Sequence, residues 1–90
     1  MYKKNQIIYV RFENNCISKC RIVKVNLDNC VDLEILQELF YENDIMVDDV
    51  SQYNIVELFY INKLFSKKDI INIISNKYKK LINNFVKRGK

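Results

Sequence analysis

The short length of the chain is the strongest constraint on its fold. A domain of 90 residues buries only about 60–65% of the surface that its unfolded chain exposes, which leaves little room for an internal active-site cavity. Apolar residues make up 49% of the chain and charged residues 29%, a balance typical of folded proteins. We therefore predict a single globular domain over residues 1–90 that functions through its surface.

The first part of the chain has the pattern of a β-hairpin. Residues 6–12 are rich in β-branched and aromatic side chains, residues 13–15 favour a turn, and residues 16–25 resume with alternating residue types. Apolar residues occur on both faces of the first segment, with Ile7 and Tyr9 on one and Ile8 and Val10 on the other. This distribution indicates a strand in the interior of the sheet.

Two segments have the apolar spacing of helices. Residues 31–42, with Asn29 as the N-cap, place apolar side chains three and four positions apart, which predicts a first helix. Residues 66–87 begin with the capping-box-like pair Ser66 and Asp69 and keep a 3.6-residue period, with Gly89 as the stop signal. This second segment predicts a long, basic C-terminal helix.

The segment between these helices has the residue types of strands. Residues 45–47 form a short apolar run, and residues 54–62 have the aromatic and β-branched content of a buried strand, although a short apolar run also fits a buried helix. We predict an α+β fold in which a small mixed sheet, with ββαββα element order, is covered by two helices. A helical second half of the chain is the alternative.

The chain lacks residues that most catalytic sites need. It has no histidine and one glycine, so it can form neither a Ser-His or Cys-His pair nor a glycine-rich phosphate loop. Carboxylates such as Asp48 and Glu57, or Glu34 and Asp44, have the oxygen ligands that a divalent ion prefers, but a solvated acidic surface explains the same residues. We expect a protein that is not an enzyme and uses no cofactor.

The three cysteines, Cys16, Cys20 and Cys30, do not indicate disulfides or zinc. Their odd number argues against a closed disulfide framework. A zinc site would need a carboxylate such as Asp28 or Asp32 as its fourth ligand, and the cysteine spacing matches known zinc sites poorly. We expect reduced thiols that pack as small apolar groups, and no metal.

Residue usage favours amino acids with AT-rich codons. The chain has 13 Ile, 12 Asn and 12 Lys but no Ala or Thr, as in proteins from AT-rich genomes such as those of many phages, viruses, organelles and low-GC bacteria. No stretch approaches the roughly 18–20 apolar residues of a membrane span, and the N-terminus lacks the pattern of a secretory signal. We expect a protein in the cytoplasm of its producer or host cell, without a membrane partner.

Charged residues are segregated by sign along the chain. Residues 1–25 carry six basic and one acidic residue, residues 26–57 carry nine acidic and no basic residues, and residues 58–90 carry nine basic and one acidic residue. Segregated charge steers partners of opposite sign. We predict an acidic protein-binding face formed by Glu34, Glu38, Glu42, Asp44, Asp48 and Asp49. The three glutamates are four positions apart, so they would form one stripe on the predicted first helix.

These charges lead to three hypotheses on function. The first is a non-catalytic inhibitor or adaptor of a nucleic-acid-handling complex, of the host-takeover kind that includes anti-CRISPR proteins. The second is direct nucleic-acid binding through the C-terminal helix, by Lys77, Lys80, Lys87 and Arg88 with help from Lys3, Lys4, Arg11, Lys19 and Arg21. The third is a self-associating structural subunit in which acidic and basic faces of neighbouring copies meet.

Overall fold

The computed structural model describes residues 1–13, 15–48, 50, 54–74 and 76–87. Within them, a five-stranded antiparallel sheet precedes two short helices. The α+β class is therefore confirmed, but the strands all come first, so the predicted ββαββα order and mixed sheet are wrong. The elements are β1 (Ile7–Val10), β2 (Cys16–Val25), β3 (Cys30–Phe40), β4 (Ile45–Val47), β5 (Ile55–Tyr60), α1 (Lys67–Ile73) and α2 (Lys79–Lys87), with single 3₁₀ turns at Ile61–Lys63 and Asn76–Tyr78.

The predicted hairpin is confirmed as β1 and β2. Ile7 pairs with Arg21 and Val10 with Ser18 in an antiparallel register. The strand order is β1-β2-β3-β4, so β1 begins the sheet and the prediction of an interior strand is wrong. Residues on both faces of β1 are nevertheless buried, because Ile8 packs into one hydrophobic core and Tyr9 into another.

Strand β3 occupies the segment predicted as the first helix. Its odd-numbered residues from Val31 to Leu39 are buried and its even-numbered residues are half-buried, which is the two-residue period of a strand. One edge of β3 pairs with β2, and the other edge pairs with β4 and β5. These pairings satisfy the backbone on both sides and outweigh the helix propensity of its Glu and Leu residues.

The sheet is rolled, so that the chain leaving β5 returns to β1. After the 3₁₀ turn at Ile61–Lys63, Phe65 and Tyr9 exchange two backbone hydrogen bonds of 2.8 and 2.9 Å along the outer edge of β1. This pairing covers an edge that would otherwise expose unpaired N–H and C=O groups. The rolled sheet encloses an inner core of Ile8, Val10, Cys20, Ile22, Val31, Leu33, Ile35 and Leu64.

Helices α1 and α2 cover the outer face of the sheet. Ser66 caps α1 as predicted, because its side chain accepts a hydrogen bond from the Asp69 backbone N–H. The single long helix predicted over residues 66–87 is wrong: Ile74 takes an extended backbone (φ −98°, ψ 147°) and ends α1, and Gly89 lies outside the described residues. The resulting outer core contains Tyr9, Ile17, Leu39, Tyr41, Ile70, Ile74, Ile82, Phe85 and Val86.

No described helix has the length and apolar content of a membrane span.

Two members of a row of three buried polar side chains hold the end of α2 against the sheet. Tyr9, Lys19 and Gln37 are cross-strand neighbours on β1, β2 and β3. The Lys19 Nζ donates to the Phe85 carbonyl (3.0 Å), and the Tyr9 hydroxyl donates to the Val86 carbonyl (3.3 Å). Both carbonyls lie in the last turn of α2, where a helix leaves its C=O groups without intrahelical partners. Lys19 and Tyr9 therefore cap the helix from within the protein, and Gln37 donates to Asp48 instead.

Candidate functional site

The structure separates the acidic residues that the sequence placed on one helical stripe. Glu34 pairs with Arg21 and Glu38 pairs with Ser18 across β2 and β3, and a bulge at Leu36 lies between them. Arg21 and Ser18 lie on opposite faces of β2 because they are three positions apart. Glu34 and Glu38 therefore face opposite sides of the sheet, and the predicted stripe through Glu42 is wrong.

Both of these glutamates have partners within the fold. Glu34 forms a salt bridge of 2.6 Å with Arg21, and the side chains are 26% and 36% exposed. The Glu38 carboxylate accepts hydrogen bonds from the Ser18 hydroxyl (3.2 Å) and the Cys16 thiol (3.6 Å). These contacts hold β2 against β3, so these two carboxylates support the sheet itself.

The other described acidic residues of the predicted face border β4. Glu42 and Asp44 are exposed in the turn before β4, and exposed Asp48 follows it. Asp48 accepts a hydrogen bond of 2.6 Å from the buried Gln37 amide, and Asp49 lies outside the described residues. We call Glu42, Asp44 and Asp48 the acidic turn.

Three lysines of the predicted nucleic-acid site are exposed on the C-terminal segment. Lys77 lies in the 3₁₀ turn before α2, where its Nζ is 5.5 Å from the Tyr78 ring centroid. Lys80 and Lys87 lie two helical turns apart on α2, which places them on one side, and both are exposed. Arg88 lies outside the described residues. All three lysines are exposed, but Lys77 lies outside α2 rather than on one long helix with the other two, and their binding role stays a prediction.

The other basic residues assigned to this site have different surroundings. Lys19 is 1% exposed and donates a hydrogen bond to the end of α2. Arg21 forms a salt bridge with Glu34. Lys3 and Lys4 are exposed before β1. Arg11 follows β1 at the other end of that strand, where basic and aromatic side chains lie together.

A groove of about 560 Å³ opens beside Arg11, where the end of β1 meets the chain that follows β5. The pairing of Tyr9 with Phe65 holds its two walls together. Of the described residues that line it, two are basic, three are phenylalanines and none is acidic. We call it the phenylalanine groove, and its lining residues are Val10, Arg11, Phe12, Phe59, Asn62, Lys63 and Phe65.

The three rings of the phenylalanine groove are held from different sides. Phe59 packs against the inner core and Phe65 against the outer core. Phe12 meets Phe59 edge to face, with 5.6 Å between ring centroids and an interplanar angle of 69°. Phe12 is 38% exposed, so part of this residue is open to solvent beside Phe59. This geometry suits contact with a flat, apolar group.

The cations of the groove continue onto the adjacent helices. The Arg11 guanidinium donates to the Tyr41 hydroxyl (3.2 Å), which positions it at the groove wall, and Lys63 is exposed. Exposed Lys67 and Lys68 begin α1, two and three positions after Phe65. Exposed Asp69 follows these two lysines, so basic residues outnumber acidic ones at the start of α1.

Tyr9 connects the groove wall to the end of α2. Tyr9 contacts Phe65 through its backbone and Val86 through its hydroxyl. Lys87 directly follows Val86 and is exposed. Tyr9 thus contacts two residues, Phe65 and Val86, that lie far from it in the sequence.

The cysteines are buried and have the properties of structural thiols. Burial and the nearby Glu38 carboxylate raise the pKa of the Cys16 thiol to about 12, and burial also raises the pKa of Cys20. Thiolates, rather than thiols, attack electrophiles and bind metals. Across the described ranges, no group of three or more Cys, Asp or Glu residues is placed to hold a metal ion.

Sequence patterns alone miss most of the phenylalanine groove. They place Arg11 in a basic site but give no role to Phe12, Phe59, Lys63 or Phe65. The available signal is the mixture of aromatic and basic residues between positions 59 and 65. Its meaning depends on the return of this segment to β1, which no local pattern shows.

The comparisons with known proteins add no assignment to this geometry. The chain matches no protein-family model, no curated protein and no solved structure. We therefore infer function from the phenylalanine groove and the charges around it.

Proposed function

We propose that the protein is a non-catalytic nucleic-acid-binding protein. The observation that supports this proposal is the phenylalanine groove, whose described lining includes Arg11 and Lys63 and no acidic residue. Exposed Lys67, Lys68 and Lys87 extend the positive charge onto α1 and α2. Basic side chains that contact phosphates release condensed counterions, which supplies most of the affinity of sequence-independent binding.

The kinds of basic residue favour contacts with the phosphate backbone over recognition of base edges. The chain has 12 lysines and only three arginines. Arginine is the residue that binds phosphate and guanine in a bidentate manner, whereas lysine acts as a point charge. Contacts of this kind position a protein on nucleic acid without reading its sequence. We therefore expect binding with little sequence preference.

Fluorescence anisotropy of labelled, mixed-sequence DNA and RNA tests the proposal. The wild-type affinity should fall steeply as salt rises from about 50 to 200 mM. The double variant Lys63→Gln/Lys67→Gln should bind more weakly and with a shallower salt dependence, by about one unit of slope for each phosphate that the variant no longer neutralises. Lys3→Gln/Lys4→Gln is the control, because it removes the same charge at the opposite end of β1.

Two results would contradict the proposal. The first is the absence of salt-dependent binding by the wild-type protein at the lowest salt concentration. The second is equal loss of affinity in the groove variant and in the control, because net charge rather than this surface would then explain binding.

The acidic turn supports a second candidate, an inhibitor or adaptor that binds a basic surface of a nucleic-acid-handling complex. Glu42, Asp44 and Asp48 are exposed, and residues 26–57 include no basic residue. The variant Glu42→Lys/Asp44→Lys should lose a partner that the wild-type protein retains in a pull-down, with an unchanged melting temperature. It should leave nucleic-acid affinity intact or raise it, which separates the two candidates.

A further inference from the structure

We propose that the phenylalanine groove selects single-stranded nucleic acid, with an unpaired base stacked on Phe12 and the adjoining phosphates bound by Arg11 and Lys63. This inference rests on the proposed function and adds the form of nucleic acid. It depends on the aromatic lining of the groove, whereas the proposed function depends on charge.

The position of Phe12 favours an unpaired base. In a duplex, each base is stacked between its neighbours and presents only its edges in the grooves. An unpaired base exposes its π-face, and aromatic side chains bind that face whatever the base. Phe12 is 38% exposed, and its ring and the Phe59 ring are in edge-to-face contact. A flat base can therefore cover the exposed part of Phe12 without moving the ring.

The two cations lie where phosphates of the same strand would pass. Arg11 directly precedes Phe12 in the chain, and Lys63 lies across the groove on the segment that also provides Phe59 and Phe65. No acidic residue is among the described residues that line the groove, so these two side chains make its lining net basic. A net basic lining is complementary to the charge of a phosphodiester.

The size of the groove also limits its ligand. A volume of about 560 Å³ lies within the range of pockets that hold small molecules, about 300–1,000 Å³. Such a groove accommodates one base together with its adjoining phosphates. A longer strand would continue over the lysines at the start of α1, because Lys67 and Lys68 follow the groove wall directly.

The test compares two fluorescein-labelled probes, an oligothymidylate of about 12 nucleotides and a mixed-sequence duplex of about 12 base pairs, within the usual range of single-strand site sizes. Wild-type protein should bind the single strand more tightly than the duplex. Phe12→Ala should weaken single-strand binding by about 5-fold to 150-fold and leave duplex binding and the salt slope unchanged. Phe12→Tyr, which keeps an aromatic face, should restore single-strand binding.

Tyr60→Ala is the matched control. Tyr60 is an exposed aromatic residue, 60% accessible, and it is not among the described residues that line the groove. Its removal should leave both affinities unchanged. Urea denaturation of each variant shows whether it is folded, and the exposure of Phe12 and Tyr60 leads us to expect that both are.

The outcomes separate this inference from the proposed function. If the protein binds both probes equally and Phe12→Ala behaves like Tyr60→Ala, the single-strand inference is wrong while nucleic-acid binding stands. If Phe12→Ala weakens binding to both probes to the same extent, the inference is also wrong, because the ring then does not distinguish the two forms. If the protein binds neither probe at low salt, both proposals are wrong.

Discussion

Replacement of Lys19 with methionine would test how the end of α2 is held on the sheet. Lys19 is 1% exposed, its Nζ donates to the Phe85 carbonyl at 3.0 Å, and the same atom lies 5.0 Å from the centroid of the Phe85 ring. Methionine keeps an unbranched side chain of similar length and removes only the donor and its charge. The variant therefore isolates the cap from the packing of the side chain.

The expected decrease in the free energy of unfolding follows from opposing contributions of the Lys19 ammonium group. Burial of an ammonium group costs several kcal/mol, and a charge-assisted hydrogen bond (about 1.5–3 kcal/mol) and a desolvated cation–π contact (about 2 kcal/mol) offset much of this cost. Removing the ammonium removes all of these terms together. The cost that remains is the buried Phe85 carbonyl without its donor, about 1–3 kcal/mol. We expect a loss of about 2 kcal/mol, or about 8–16 °C in Tm for a domain of this size.

Urea denaturation followed by far-UV circular dichroism measures this free energy of unfolding. Lys24→Met is the control, because Lys24 lies on the same strand and is exposed; it should change stability by less than about 0.5 kcal/mol. A Lys19→Met variant as stable as the wild-type protein, or more stable, would refute the reasoning. Such a result would mean that the burial cost of the ammonium exceeds the value of the cap.

Three further predictions concern the buried and capping groups. Burial raises the pKa of Tyr9 from 10 to about 12, so the protonated hydroxyl makes its full contribution to folding stability below pH 10. That contribution, about 3 kcal/mol, is lost as the pH rises to about 12, and stability measured against pH should fall less in Tyr9→Phe than in the wild-type protein over this interval. Cys16 and Cys20 are buried with raised pKa values, so N-ethylmaleimide should label them orders of magnitude more slowly in the native protein than in urea, and fast native labelling would contradict their burial. Ser66→Ala removes the acceptor of the Asp69 N–H bond and should cost about 1 kcal/mol in thermal unfolding, whereas Ser66→Asp should retain most of the stability.

Local patterns predict the elements that depend on neighbouring residues. The hairpin of β1 and β2, the short strand β4, the strand β5 and the Ser66 cap all follow from residue types within a few positions. Strand β3 has the pattern of a helix because Ile35, Leu36, Leu39 and Phe40 have helical spacing. The preceding residues, Val31 to Ile35, alternate strictly between apolar and acidic, which is the period of a strand. The bulge at Leu36 interrupts this alternation and conceals it.

The sequence predicts too long a C-terminal helix for a related reason. Two short helices that pack on the same sheet face place their apolar residues at nearly the same spacing as one continuous helix. The extended backbone of Ile74 separates them and lets that side chain enter the outer core. The advantage of this break comes from packing against the sheet, so the local period does not reveal it.

The candidate site depends even more on long-range structure. Arg11 and Phe12 lie near the start of the chain, and Lys63 and Phe65 lie in its second half. They share one groove only because Phe65 pairs with Tyr9. Charge segregation shows which parts of the sequence are basic, but the arrangement of those parts in space requires the topology.

The pairing of Tyr9 with Phe65 also has a consequence for the newly made chain. A ribosome that adds about 5–20 residues per second reaches Phe65 several seconds after it has made Tyr9. During that interval β1 has β2 on one side only, and the backbone of its other edge has no partner from its own chain. We expect ribosome-bound chains that end before residue 65 to be sensitive to proteases and prone to strand-mediated aggregation, and protection to begin once Phe65 has emerged. The last step in closing the sheet would then also be the step that completes the groove.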